Sequence, residues 1–105
     1  MIAFCIPIFV RQIYLLIMQR KLLIADDEAY IRLLLEQTFE DLQDEGVELL
    51  FAENGRDALD LLRTERPHLV FLDVMMPLLN GMDVCAKAKN ELGLNDSYIV
   101  LLTAK

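Results

Sequence analysis

From Lys21 onward, short unbroken apolar runs give way to stretches in which apolar residues recur every three or four positions, and the cycle then starts again. That alternation predicts βα units around a parallel sheet. KLLIA at 21–25 is a continuous apolar run, as expected of a strand covered on both faces, and the acids Asp26, Asp27 and Glu28 close it. Ile31, Leu34, Leu35, Thr38, Phe39 and Leu42 follow at helical spacing and predict one helix over 29–42, packed by that face against the sheet. Gly46 releases the chain. VELLFA at 47–52 predicts a second strand, ENG at 53–55 a turn, and Ala58, Leu59 and Leu62 a helix that ends before Pro67. LVFL at 69–72 predicts the third strand, closed by Asp73 and followed by the loop VMMPLLNG. Met82, Cys85, Ala88, Lys89 and Leu92 outline a further helix, and YIVLL at 98–102 a fourth strand with Thr103 just past its end.

The 105 residues, 55% of them apolar, suit one compact domain with its own core and leave no room for a second. A formal net charge of −7 supplies no basic stripe to neutralise phosphates, which argues against direct nucleic-acid binding. Cys5 and Cys85 match neither a disulfide framework nor a zinc pattern, so reduced thiols of a cytosolic protein are expected, with Cys85 as helix packing. His68, just after Pro67, reads as a strand-start residue and is assigned no function.

Residues 1–18, MIAFCIPIFVRQIYLLIM, form an apolar N-terminal extension that admits several readings. As a membrane anchor the segment is barely long enough to span, and Arg11 near its middle would cost roughly 2.5–3.5 kcal/mol. As a signal peptide it fits poorly, because Arg20 and Lys21 follow the apolar stretch and no small-residue cleavage site is present. It is otherwise a packed helix, or a stretch ahead of a true start at Met18. The membrane is the less favoured place, and a cytoplasmic location is expected.

Parallel pairing of these strands would bring Asp26, Asp27, Asp73 and Thr103 to one sheet edge, the carboxyl edge where ligands gather in open α/β folds. Carboxylates held that close repel one another unless a cation neutralises them, and an all-oxygen set suits Mg²⁺ better than zinc. Mg²⁺ keeps several waters and takes one or two carboxylates plus a phosphate oxygen, leaving one acid free to attack phosphorus. Each residue has a plainer use: Asp26 and Asp27 as helix caps, Asp73 as a turn residue, Met75 and Met76 as loop packing.

The motifs LLIADDE (22–28), ENGRDALDLL (53–62), LVFLDVMMP (69–77), NGMD (80–83) and SYIVLLTAK (97–105), in this order and spacing, resemble the receiver domains of bacterial two-component response regulators. The resemblance runs from about Gln19 to Lys105. It implies a flavodoxin-like α/β fold, a doubly wound parallel sheet of order 2-1-3-4. It also implies that Asp73 accepts a phosphoryl group from the phosphohistidine of a histidine kinase. Asp26, Asp27 and Asp73, with the backbone carbonyl of Met75, would hold Mg²⁺, directly or through water. Pro77 and Gly81 would shape the loop after the acceptor, and the Thr103 hydroxyl would hydrogen-bond a phosphoryl oxygen as the switch. The implied partners are a sensor kinase or phosphotransfer protein and an output domain or protein.

One departure stands out. Family members place a lysine at the end of a fifth strand, where it pairs with the acceptor. Here Lys105 follows the fourth strand, two residues beyond Thr103, and is not assigned that role. The resemblance therefore implies a receiver lacking its fifth strand and last helices, with the fourth strand as an apolar edge prone to association. A phosphatase with an aspartate nucleophile would want a second aspartate at position 75, which is methionine, and neither a Walker-type loop nor GxGxxG is present. The expectation is a phosphoacceptor module rather than an enzyme; the alternative is a degenerate receiver or gene fragment that only binds a partner, if it acts at all.

Overall fold

The computed structural model describes residues 20–94 and 96–103. The readings of residues 1–18 and of Lys105 lie outside them. Four strands, β1 (Lys21–Ala25), β2 (Glu48–Ala52), β3 (Leu69–Asp73) and β4 (Tyr98–Leu102), pair in parallel in the order β2-β1-β3-β4. Helices α1 (Ala29–Thr38), α2 (Glu40–Asp44), α3 (Gly55–Glu65) and α4 (Gly81–Asn90) occupy the connections. This is the flavodoxin-like order expected from the sequence.

The apolar runs serve both faces, because successive strand side chains point to opposite sides. Leu23 and Ala25 of β1, with Val70 and Leu72 of β3, enter a core completed by Ala58 and Leu62 of α3 and Val84 and Ala88 of α4. Leu22 and Ile24 point the other way and join Leu49, with Leu35, Phe39, Leu69 and Phe71 half-buried around them. His68 is the strand-start residue expected: its carbonyl accepts from Tyr98 and its N–H donates to Lys21. Cys85 packs half-buried against the first core.

Two helical expectations are corrected. The helix predicted over 29–42 breaks at Phe39, which lies between α1 and α2 with φ −101° and ψ 15°. Thr38 Oγ1 donates to the Leu34 carbonyl at 2.8 Å, a back-bond that bends helices, and the turn lets Phe39 face the Phe71 ring at 5.1 Å. Leu35 and Phe39 pack against the core; Leu34 and Thr38, on the adjacent row, are exposed, and the break returns Leu42 to a half-buried place. In α4 the inward row is Val84 and Ala88 with Cys85 at its margin, while Met82 and Lys89 are exposed. The helix ends at Asn90, so Leu92 reaches the core from the connection that follows.

Candidate functional site

The carboxyl ends of β1 and β3 lie in register, Ala25 beside Leu72, so the next residues of the two strands are neighbours. Asp26 prolongs β1: its N–H donates to the Ala52 carbonyl at 3.1 Å and it is wholly buried. Its Oδ1 accepts the Glu28 N–H at 2.9 Å and closes the turn into α1, leaving Asp27 exposed on that turn. The N-cap position of α1 is Glu28, which makes no side-chain cap bond, so neither aspartate occupies it. Asp73 ends β3, equally buried, with Oδ1 accepting the Met75 N–H at 3.0 Å. One carboxylate oxygen from each of Asp26, Asp27 and Asp73 lies within 4.8 Å of the others.

The loop after Asp73 is held on three sides. Val74 N–H donates to the Leu102 carbonyl at 3.1 Å, and Gly81 N–H donates to the Val74 carbonyl at 3.0 Å. A Cβ on Gly81 would stand 2.4 Å from the Asp73 carbonyl oxygen, so only glycine permits this approach. At the far end Leu79 lies against the start of α3, where a Cβ on Gly55 would sit 1.6 Å from the Leu79 carbonyl oxygen. Between them Leu79 N–H donates to the Pro77 carbonyl at 2.7 Å around Leu78, whose φ of 69° marks a strained γ-turn. Asn54 and Asn80 cap α3 and α4 by accepting the N–H of Asp57 and Asp83, which fixes both helix starts beside the loop.

Thr103, exposed, is the first residue past β4. Leu102 pairs in register with Asp73, so Thr103 comes next to the end of β3. Met75 is exposed beside Asp73, whereas Met76 is buried in the core, the loop packing expected of it. Arg32 is a residue the sequence pattern did not mark. Its guanidinium folds back from α1 so that Nη1 donates to the Asp26 carbonyl at 2.5 Å.

Three carboxylates and no sulfur or imidazole make a hard, all-oxygen donor set. The three carboxylate oxygens lie within 4.8 Å of one another, close enough for one hard cation to be shared among them directly or through its waters. The residues fit a magnesium ion.

Residues 22–105 match the family model of the response regulator receiver domain. The chain belongs to this family. The probable transcriptional regulator ycf27 of Galdieria sulphuraria is 45% identical over 86 residues, covering 82% of this chain and 31% of that protein. The chain spans about a third of the length of the curated relatives it matches. Among solved structures, the receiver domain of AraT, a response regulator from Geobacillus stearothermophilus, superposes with a TM-score of 0.72 at 31% identity, covering 81% of this chain and 64% of that one. Vibrio cholerae chemotaxis protein CheY4 gives 0.69 at 30% identity, covering 83% and 70%. Receiver domains are modules of two-component signalling that generally bind Mg²⁺ in an acidic pocket and work with kinases or phosphotransfer proteins and outputs. Among the described residues no helix is long and apolar enough to cross a membrane.

Proposed function

We propose that residues 19–105 form the receiver module, that Asp73 accepts a phosphoryl group from the phosphohistidine of a sensor histidine kinase or phosphotransfer protein, and that residues 1–18 are an extension to it. The observation that carries this reading is the convergence of Asp26, Asp27 and Asp73 within 4.8 Å at the carboxyl edge of the sheet. An Asp73 oxygen attacks phosphorus as the P–N bond to the imidazole breaks. The bond's electron pair stays on the ring nitrogen, which takes a proton from solvent, and an aspartyl phosphate remains. Asp26, Asp27 and Asp73, with the Met75 backbone carbonyl, hold Mg²⁺ directly or through water. When bound, the ion neutralises charge on the acids and on the phosphoryl oxygens. Such transfer demands in-line positioning and charge neutralisation more than acid–base groups, and the loop held between Gly55 and Gly81 supplies the positioning. The Thr103 hydroxyl donates to a phosphoryl oxygen and reports the modification. The module is an acceptor in the cytoplasm, not an enzyme that turns over a substrate. Its output, transcriptional if it follows the name of the ycf27 relative, runs through an output domain or protein.

Intact mass after incubation with Mg²⁺ and a small acyl phosphate tests the reading. One phosphoryl group is expected on the wild type and none on Asp73→Asn. A cooperatively folded wild type that stays unmodified would reduce the protein to a binding module.

A further inference from the structure

We infer that Arg32 is a positioning residue for the metal centre, an inference that rests on the proposed magnesium site. Asp26 is pinned at three atoms: its N–H by the Ala52 carbonyl at 3.1 Å, its Oδ1 by the Glu28 N–H at 2.9 Å, and its carbonyl oxygen by Arg32 Nη1 at 2.5 Å. The third bond has a consequence the other two lack. The Asp26 carbonyl belongs to the planar peptide that joins Asp26 to Asp27, so holding its oxygen sets the direction in which Asp27 leaves the strand. Asp27 is the exposed acid of the three and sits on a turn rather than in a strand, so that peptide plane bears directly on where it stands. The sheet does not supply this bond; a side chain six residues along the chain does.

Arg32 is built into the site. Its side chain keeps only 17% of its exposure, while Glu53, at the end of β2, keeps 74% and lies 3.5 Å from Nη2. A bare guanidinium beside three acids would oppose a cation, but the Glu53 carboxylate offsets that charge. What Arg32 brings to the centre is therefore the geometry of the Asp26–Asp27 turn. Partners that orient metal ligands in this way typically change metal affinity by 10–100-fold when removed.

The test titrates Mg²⁺ alone into the full 105-residue chain by calorimetry, after each variant is shown to melt cooperatively. Arg32→Met, which keeps an apolar stem and loses the donor, is expected to bind Mg²⁺ about ten-fold more weakly. Arg32→Lys has a shorter reach and no fork, and is expected to fall between it and the wild type. Unchanged or tighter Mg²⁺ binding by a folded Arg32→Met overturns the inference, and a drop in melting temperature alone does not rescue it. Should Arg32→Met fail to fold, Arg32→Lys decides, with wild-type affinity as the overturning result. Asp27→Asn separates the two levels. If it weakens Mg²⁺ binding and the Arg32 variants do not, only this inference falls; if the wild type takes up no Mg²⁺, the metal centre falls with it.

Discussion

The two faces of the sheet are built to different standards. The face under α3 and α4 is sealed: Ala58, Leu62, Val84 and Ala88 are fully buried against Leu23, Val70 and Leu72. The face under α1 and α2 has no buried residue in either helix, and Leu33 and Leu34 of α1 are about half exposed. Leu22, Ile24 and Leu49 of the strands are buried there, but the residues packed around them, Leu35, Phe39 and Phe71, are half-buried, and a shallow apolar cleft lies beside Leu42, Val47 and Leu69 at the amino ends of the strands. The acidic site draws on both faces unequally. The loop after Asp73 is fastened to the sealed face through Gly55 and Gly81, whereas the Asp26–Asp27 turn leads into the thinly packed α1 and is held by hydrogen bonds, among them those to the Ala52 carbonyl, the Glu28 N–H and the Arg32 guanidinium. The acids are positioned by close packing on one side and by discrete hydrogen bonds on the other.

The sharpest way to break this contrast is Gly55→Ala. Its methyl would land 1.6 Å from a backbone oxygen of the loop after Asp73, so either α3 or the loop must move. We expect a loss of about 3 kcal/mol or more in denaturant unfolding, with weakened Mg²⁺ binding in whatever remains folded. Leu62→Ala, cut from the centre of the sealed core, is expected to cost about 3 kcal/mol, and Leu35→Ala on the other face about 1 kcal/mol or less. Equal costs for these two leucines would abolish the distinction between the faces. Leu78→Gly should act in the opposite direction. The side chain is 70% exposed and its backbone sits at φ 69°, so relief of roughly 1–2 kcal/mol of left-handed strain outweighs the added freedom of glycine in the unfolded chain. A net gain of about 0.5–1 kcal/mol is expected, visible as a higher denaturant midpoint.

The smallest effect lies at the amino end of β1. The hydrogen bond from Lys21 Nζ to Glu65 at 2.9 Å raises the lysine pKa above its ordinary 10.5; burial lowers it somewhat, and the charges of Glu65 and Glu48 add to the rise. A raised folded-state value contributes stability that is fully present below pH 10.5 and is lost as pH climbs through the higher folded value. The stability gap between wild type and Lys21→Met should therefore stay constant through neutral pH and close only in strong alkali. A gap that closes near neutrality would mean that the pair contributes by another route.

Much of this was legible from Lys21 to Thr103 without coordinates. Unbroken runs such as KLLIA and LVFL require burial on both sides, which for strands of this length means a parallel sheet between helices, and each run ends on the acid or hydroxyl that the fold gathers at one edge. Helical faces were less legible. Periodicity marks an apolar stripe but not its centre, so it points Leu34, Met82 and Lys89 inward although the inward rows run through Leu35 and Val84. The turn at Phe39 sets its ring against Phe71, a partner 32 positions along the chain, and no local pattern contains that contact.

The sequence alone determined the strands, the order of chemistry along them and the oxygen-only character of the site, because these follow from residue type and period. Packing in three dimensions is what requires glycine at 55, brings Arg32 to the Asp26 carbonyl and leaves the two faces sealed to different degrees. Those facts are distances set by how strands twist and helices settle once packed, and residue spacing carries no record of them.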